Sequence, residues 1–382
     1  MQPHICDARE VRVRNLDLDC SLLLEQHARN LPSRRALPSE VAVIEQPPKL
    51  VYLGANILVT GADGFIGSHL VEMLVSQGAN VTALCLYNSF DSCGWLDDMP
   101  IRSRLKVVRG DVRDASFVRH LVCRQEIVFH LAALIAIPHS YVAAQSYVET
   151  NVLGTLNVLE AAREHEVARV VHTSTSEVYG TAITTPITEA HPLQGQSPYS
   201  ASKIGADMMA EAFARSFDLP VVILRPFNTF GPRQSERAII PTIVRQVLDP
   251  SSPSIEVGDT TPIRDFTFVE DTAAAFLALG KAPQVEFGKP YNAGSGIGVT
   301  VGELIDTVLK LTNCEKPIER NPQRARPPKS EVWTLLADSS RIAAHAGWRP
   351  KVDLQQGLLR TVEWWRDRLE RGQVRREKTY VT

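Results

Sequence analysis

Two short segments of the chain hold the residue types that acid–base chemistry requires. The first, Ser174–Gly180, places hydroxyl groups and the carboxylate of Glu177 at the end of an apolar run typical of a buried strand. The second begins a helix in which Tyr199 and Lys203 are four residues apart and therefore lie one turn from each other on one face. Because a nearby positive charge favours the ionised form of a phenol, Tyr199 is predicted to act as a base.

A glycine-rich turn lies upstream, between an apolar run and a segment with helical spacing. The run Ile57–Thr60 precedes Gly61, Gly64 and Gly67, and a helical pattern follows from Ser68. Strand, glycine turn and helix in this order predict a dinucleotide site, in which backbone N–H groups approach a pyrophosphate at the helix N-terminus. A plain strand-to-helix turn is the alternative for this motif taken alone. The predicted cofactor contacts are Gly61, Gly64, Phe65, Ile66 and Gly67.

The ends of later strands supply further candidate contacts. Asp111, after the third predicted strand, is placed to meet an adenine amino group, and a cap for the helix from Ala115 is an equally supported alternative. The second strand ends in Leu86-Tyr87-Asn88, without the carboxylate expected at the adenosine ribose, so the choice between NAD and NADP stays open. The fourth strand runs into small residues that let a cofactor approach the backbone. The predicted contacts are Asp111, Val112, Leu131, Ala132 and Ala133.

The order of strands and helices predicts the fold class. Alternation from residue 56 onward predicts an α/β protein with a Rossmann-like, doubly wound parallel sheet. Beyond residue 230, short segments interrupted by Pro and Gly predict a smaller C-terminal substrate lobe that forms the other wall of a cleft. The predicted divisions are an N-terminal extension (1–54), a mainly dinucleotide-binding domain (55–230), a mainly nucleotide-sugar-binding lobe interleaved with it (231–370), and a tail (371–382).

Composition argues against several classes of partner. Lys plus Arg number 41 against 43 Asp plus Glu, a net charge of -2 that provides no basic field to attract nucleic acid. No apolar run approaches the roughly 18 residues that a membrane span requires. The six cysteines include no C-x-x-C pair, which indicates reduced thiols and no zinc site. We therefore expect a soluble, cytoplasmic protein that binds neither nucleic acid nor membranes nor a metal.

Taken together, these motifs resemble the extended short-chain dehydrogenase/reductases that act on nucleotide sugars. The resemblance covers about residues 55 to 370 and includes the spacing G-x-x-G-x-x-G, Tyr199-x-x-x-Lys203, Arg225-Pro226-Phe227-Asn228 and Arg264-Asp265-Phe266. It implies that Thr175 and Tyr199 hold the sugar 4-hydroxyl. It also implies that Lys203 binds the nicotinamide ribose of NAD and lowers the pKa of Tyr199. The residues implied near the nucleotide diphosphate are Asn228, Arg233 and Arg264.

The residues after Thr175 separate the reactions of this family. By the resemblance, a 4-epimerase carries a small residue where Glu177 stands, whereas a 4,6-dehydratase needs a carboxylate to remove the C5 proton. Ser176 stands where glucose-type dehydratases have Asp, which leaves its part in the departure of the 6-hydroxyl open. The resemblance thus implies a nucleotide-sugar 4,6-dehydratase. Its reaction is oxidation at C4, loss of water across C5 and C6, and return of the hydride to C6.

Three loop segments narrow the expected substrate. The segments Pro186–Pro198, Gly231–Ser235 and Arg326–Glu331 are most similar to N-acetylhexosamine 4,6-dehydratases of the legionaminic-acid type, which implies UDP- or GDP-linked GlcNAc as the substrate and Arg326 as a contact. An NDP-glucuronate decarboxylase is the runner-up, although the lack of Lys and Arg from Thr181 to Ser202 weighs against binding of a substrate carboxylate. A 4-epimerase and a non-catalytic nucleotide-sugar or NADP sensor are the further alternatives.

A homodimer is also expected from the resemblance. Three predicted helices would form its contact face, namely Ala115–Val122, Asn151–Glu164 and the helix that contains Tyr199.

Overall fold

Short runs of β-branched and other apolar residues form the strands of the computed structural model, which describes residues 50–322 and 331–374. These residues belong to the larger of two units, Pro47–Thr382. In chain order the strands are β1 (Asn56–Thr60), β2 (Asn80–Leu86), β3 (Lys106–Gly110), β4 (Ile127–His130), β5 (Arg169–Thr173), β6 (Val221–Pro226), β7 (Thr229–Phe230), β8 (Ile255–Val257), β9 (Ile263–Asp265), β10 (Thr267–Phe268), β11 (Pro290–Ala293), β12 (Gly298–Thr300), β13 (Ile318–Arg320) and β14 (Thr334–Leu335).

The main sheet contains, within the described residues, seven parallel strands in the order β3, β2, β1, β4, β5, β6 and β11. All four residues of β4 are buried, as is usual for a parallel strand covered by helices on both faces. The order reverses direction next to β1, and ligands bind beyond the carboxyl ends of the strands at such a switch point. The predicted Rossmann-like α/β fold is confirmed.

Helices cover both faces of this sheet and build the second part of the cleft. The longest of them, in the described chain, contains Tyr199 and begins with a capping box between Ser197 and Ser200 and with Pro198 in its first turn. The helices are α1 (Phe65–Ser76), α2 (Ala115–Val122), α3 (Ile137–Ser140), α4 (Ala144–Tyr147), α5 (Gly154–Glu164), α6 (Pro198–Phe217), α7 (Ile239–Leu248), α8 (Val269–Lys281), α9 (Val301–Thr312), α10 (Ser340–Ala346) and α11 (Leu354–Glu370). Three 3-10 helices (Gly94–Leu96, Arg102–Arg104, Ser176–Tyr179) and a π-helix (Val148–Leu153) complete the described elements.

The segments after residue 230 are interleaved with the main sheet. A separate apolar core packs α7, α9 and α11 around residues such as Phe230, Val244 and Trp365. Short strands flank it, with β9 between β12 and β14 and β13 beside β8. The chain also returns to the main sheet through α8 and β11, so this lobe is not continuous in sequence. The predicted division into a dinucleotide-binding domain up to residue 230 and a nucleotide-sugar-binding lobe after it therefore stays a prediction about the function of the two parts.

Several predicted boundaries needed correction. The helix predicted over Asn151–Glu164 begins as α-helix only at Gly154, because the preceding turns form the π-helix. The fourth strand ends at His130, since the next residues leave the sheet to line the cleft. Residues 1–49 of the predicted N-terminal extension lie outside the described residues. In the described chain, no helix has both the length and the apolar character needed to cross a membrane.

Candidate functional site

The glycine turn between β1 and α1 forms one end of a cleft of about 860 Å³. Gly61 has φ of +66°, and a Cβ atom there would lie 2.8 Å from the backbone nitrogen of Ala132. A Cβ atom on Gly67 would lie 2.1 Å from the carbonyl oxygen of Gly61. A side chain at either position would therefore clash with the neighbouring backbone, so both glycines are needed for the turn to pack closely at the N-terminus of α1. The turn thus fits the pyrophosphate of a dinucleotide, the group that NAD would place there.

The ends of β1 and β4 shape the next part of the cleft. The hydroxyl oxygen of Thr60 accepts hydrogen bonds from the N–H groups of Leu131 and Ala132, both at 3.1 Å. Asp111 also lines the cleft, where its carboxylate binds Arg113 with a shortest distance of 2.6 Å. The alternative role of Asp111 as the cap of α2 is wrong, because Asp114 accepts the bond from the backbone of that helix.

The segment after β5 carries the candidate acid–base groups. Thr175 begins the 3-10 helix Ser176–Tyr179, and its side-chain oxygen accepts a bond of 3.2 Å from the N–H of Glu177. Ser176 is buried and Glu177 is half-buried, and both line the cleft. The short helix therefore directs hydroxyl and carboxylate groups to the same space.

Tyr199 and Lys203 approach this segment from the first turns of α6. The Nζ atom of Lys203 donates to the carbonyl oxygen of Thr173 at 2.5 Å. Burial lowers the pKa of Lys203 to about 8, while the charge of Asp207 opposes the decrease. Burial also raises the pKa of Tyr199, although its hydrogen bond with Thr175 acts in the opposite direction. The lowering of the Tyr199 pKa by Lys203 stays a prediction, and in the described structure it is opposed by burial of the phenol.

A buried ionic network lies directly behind these groups, and its centre, Asp207, was not among the predicted site residues. The carboxylate of Asp207 accepts bonds from the Ser174 hydroxyl at 2.7 Å and from Arg225 at 2.9 Å. His172 lies 3.3 Å from its other oxygen. Burial acts to raise the pKa of Asp207, but the hydrogen bond with His172 and the positive charges around it bring the pKa below its ordinary value. Asp207 therefore joins α6, β5 and β6 as an anion.

Asn151 is a second residue that the sequence analysis left without a role. It lies in the π-helix, and irregular turns of this kind often occur at functional sites. Its side chain accepts from the N–H of Leu134 at 2.8 Å and donates to the Leu134 carbonyl at 3.0 Å. It also donates to the Ser202 hydroxyl at 2.9 Å. Asn151 thus ties a cleft-lining loop to the helix that carries Tyr199.

An adjoining cavity of about 430 Å³ shares Asn228 with the first cleft and includes Arg264. Arg264 is buried and binds Glu331, with a distance of 2.9 Å between its Nη2 atom and a carboxylate oxygen. Arg233 lines the first cleft and binds Glu72 on α1, also at 2.9 Å. Both cations predicted to meet a diphosphate are therefore paired with carboxylates.

The structure brings most of the predicted site residues to one place. Arg264 lines the adjoining cavity, and Arg326 lies outside the described residues. The predicted residues that line the first cleft are Gly61, Gly64, Phe65, Ile66, Gly67, Asp111, Val112, Leu131, Ala132, Ala133, Thr175, Ser176, Glu177, Tyr199, Lys203, Asn228 and Arg233. Such an arrangement can move protons beside a bound dinucleotide.

Comparison with known proteins gives a consistent family. The family model for GDP-mannose 4,6-dehydratase matches residues 58–361. A dTDP-glucose 4,6-dehydratase of Actinoplanes is 36% identical over 319 residues, which cover 81% of this chain and 98% of the relative.

Solved structures agree with this assignment. A double mutant of the dTDP-glucose 4,6-dehydratase DesIV from Streptomyces venezuelae, with NAD bound, superimposes with a TM-score of 0.74 at 32% identity, over 83% of this chain and 98% of that chain. The UDP-N-acetylglucosamine 4-epimerase of Methanobrevibacter ruminantium, in complex with UDP-N-acetylmuramic acid, has a TM-score of 0.75 at 28% identity, over 83% and 99% of the two chains.

Proposed function

Because this chain belongs to the family of GDP-mannose 4,6-dehydratase, we propose that its cleft converts a nucleotide sugar to the 4-keto-6-deoxy form. The protein is an NAD-dependent dehydratase of the extended short-chain dehydrogenase/reductase type. One observation carries the proposal: Thr175, Glu177, Tyr199 and Lys203 line the same cleft as the glycine turn. When bound, NAD supplies a reversible hydride acceptor.

The proposed roles follow from the position of each group. Tyr199 exchanges a proton with the sugar 4-hydroxyl, which Thr175 holds through its neighbouring hydroxyl. Glu177 removes the C5 proton, because it is the carboxylate that the 3-10 helix directs into the cleft beside them. Ser176 is too weak an acid to donate freely, so we propose that it receives a proton from Glu177, which has taken one from C5, or from water, and passes its own proton to the departing 6-hydroxyl, which leaves as water. Lys203 holds a fixed position through the Thr173 carbonyl, from which it orients the cofactor ribose.

We further propose that the sugar is an N-acetylhexosamine linked to UDP or GDP. Support comes from the similarity of the loops 186–198 and 231–235 to N-acetylhexosamine dehydratases. The structural similarity to the UDP-N-acetylglucosamine 4-epimerase is consistent with this choice. The name of the Actinoplanes relative makes dTDP-glucose the competing substrate.

The proposed function is tested by mass spectrometry of products from purified protein. UDP- and GDP-linked GlcNAc, dTDP-glucose and UDP-glucuronate are incubated separately with the NAD-loaded enzyme. We expect loss of one water from the GlcNAc nucleotide without net consumption of NAD. An unchanged mass with an inverted C4 would indicate an epimerase, loss of carbon dioxide a decarboxylase, and binding without turnover a sensor. Turnover of dTDP-glucose alone would leave the dehydratase standing and overturn the choice of sugar.

The variant Glu177→Gln tests the role of the carboxylate in the same assay. The amide has nearly the same shape as the carboxylate but cannot accept the C5 proton. We expect dehydration to fall by about 100-fold or more, the usual contribution of a general base. Exchange of the C5 hydrogen with deuterated solvent should stop while oxidation at C4 continues. Continued exchange would show that another group is the C5 base.

We also propose that the protein forms a homodimer. Exposed apolar side chains occur on the π-helix, at Val148 and Leu153, and on α6, at Met208. The π-helix overlaps the predicted contact segment Asn151–Glu164, and α6 is the predicted contact helix that contains Tyr199. Light scattering of the purified chain would contradict the proposal if it gave only the mass of the monomer.

A further inference from the structure

The carboxyl end of β2 does not offer the acidic side chain that NAD sites usually present to the adenosine ribose. The strand ends at Leu86, and Tyr87 and Asn88 follow it. Tyr87 is 71% exposed, and the side chain of Asn88 is occupied by the loop that follows, where it donates to the Ser92 carbonyl at 2.8 Å and accepts from the Phe90 N–H at 3.1 Å. The ribose acceptor must therefore come from another element.

Asp63 brings a carboxylate to this place from the glycine turn. Burial raises the pKa of Asp63 and the negative charge of Asp97 adds to this, while the backbone N–H groups of Asp63 and Leu86 act in the opposite direction. The N–H of Ala62 donates to the Leu84 carbonyl at 3.1 Å, which holds the turn against β2. Asp63 and Leu86 both line the cleft. The carboxylate thus occupies the edge where the adenosine ribose lies in dinucleotide sites.

The loop after β2 fixes Asp63 from the other side. The N–H of Trp95 donates to the carbonyl oxygen of Asp63 at 3.1 Å. Gly94 has φ of +52°, and a Cβ atom there would lie only 2.6 Å from the same oxygen. The backbone of Asp63 is therefore held between two elements, which places its side chain at this edge of the cleft.

Two arginines near this edge are paired with carboxylates. Arg109, on β3 beside Cys85 of β2, binds Asp91 at 2.9 Å. Arg113 binds Asp111 at 2.6 Å and Glu149 at 3.5 Å. A 2′-phosphate, which NADP carries and NAD lacks, needs a cation at this edge. Asp63 and the partners of these two arginines make four carboxyl groups against two guanidinium groups, so the charge at this edge favours the ligand without that phosphate.

We propose that Asp63 is the residue that selects NAD over NADP, by accepting hydrogen bonds from the adenosine ribose and repelling a 2′-phosphate. The inference rests on the proposed NAD-dependent function and adds the residue that sets the cofactor preference. It assigns to the glycine turn a role that is more often played by the end of the second strand.

The test is calorimetric binding of NAD and NADP to wild type and to Asp63→Asn. The amide keeps the size of the side chain and removes its charge, so NAD should bind more weakly and NADP more tightly. We expect the ratio of the NADP Kd to the NAD Kd to fall by about tenfold or more, since a unit charge near a phosphate contributes at least that much. Asp98→Asn removes an exposed carboxylate from the same loop and should leave the ratio unchanged.

A second measurement uses the folded wild-type protein and the analogue of NAD that lacks the adenosine 2′-hydroxyl. We expect this analogue to bind about tenfold more weakly than NAD to wild type, and with a smaller difference to Asp63→Asn. Two outcomes would overturn the assignment of Asp63 and leave the NAD-dependent function intact. One is equal affinity of wild type for NAD and for the analogue without the 2′-hydroxyl, and the other is an unchanged ratio of the NADP Kd to the NAD Kd in Asp63→Asn. Failure of wild type to bind either dinucleotide would overturn both.

Discussion

The two walls of the cleft hold their charges in different ways. On the catalytic wall, Asp207 is completely buried and its partners Arg225 and His172 are almost completely buried as well. On the opposite wall, which continues into the adjoining cavity, Arg264 pairs with Glu331 at side-chain exposures of 9% and 13%. Arg233, in the loop after β7, pairs with Glu72 of α1 at exposures of 18% and 33%. The catalytic wall is therefore organised by folding itself. We infer that an anionic ligand can replace the carboxylates that hold these arginines.

This difference has a physical basis. A buried ion pair with further hydrogen bonds cannot exchange its partners without leaving an uncompensated charge in a medium of low polarity. A partly exposed pair such as Arg233–Glu72 exchanges more easily, because water and an incoming phosphate compensate the charge that is released. We infer that the positions of Thr173 and Ser174, and through Thr173 that of Lys203, vary little between the free and bound protein. The arginine side chains are the part that adapts.

The largest effect that separates the two walls is expected from Asp207→Asn. The amide fits the space but leaves Arg225 without its buried counter-charge, and loss of one partner of such a pair typically lowers the free energy of unfolding by about 3 kcal/mol or more. Urea unfolding measures this change, and kcat should fall as well because Ser174 is displaced. Asp306→Asn, at an exposed position of α9, is the control. A loss close to that of the control would mean that the network does not organise the catalytic wall.

A smaller effect concerns the pH dependence of stability. Burial lowers the pKa of His172, and the positive charge of Lys203 adds to this, while the bond with Asp207 opposes it. Burial also lowers the pKa of His130, whose ring centroid lies 5.7 Å from that of His172. A histidine that stays neutral when folded stabilises the protein above the pKa of the unfolded chain, and this contribution is lost as the pH falls.

His172→Gln tests that argument. Below about pH 6.5 the unfolded wild type binds a proton at His172 that the folded protein does not, so stability should fall by up to about 1.4 kcal/mol per pH unit for this residue. In His172→Gln the slope between about pH 6.5 and pH 5 should be smaller by that amount. The control is His120→Gln, on the exposed side of α2, which should keep the wild-type slope. Identical slopes in both variants would show that His172 is protonated in the folded protein.

Sequence patterns were sufficient for the main features of the fold. The glycine turn, the run Ile57–Thr60 and the capping residues at Ser197 define β1, α1 and α6, because each depends on local propensity and periodicity. The same patterns placed Glu177 and Tyr199 near each other, since both follow from where a strand ends and a helix begins.

What the sequence could not supply depends on contacts between distant segments. Asp207 lies one turn beyond Lys203 and resembles an ordinary polar position of an exposed helix face. Its burial arises only when β5 and β6 place Ser174 and Arg225 against it. The burial of Tyr199, which raises its pKa, is likewise not visible in the spacing of Tyr199 and Lys203.

The smallest expected effect is on the opposite wall, in Glu331→Gln. If Glu331 only neutralises Arg264 until a diphosphate arrives, removal of its charge should strengthen binding of UDP severalfold, roughly three- to tenfold, because the phosphate no longer competes with a carboxylate. The effect should appear in KM and in the Kd of UDP, with kcat little changed. Glu319→Gln, an exposed carboxylate on β13, is the control. Weaker binding of UDP by Glu331→Gln would show instead that Glu331 positions Arg264, so that this wall, like the catalytic wall, is organised before the ligand binds.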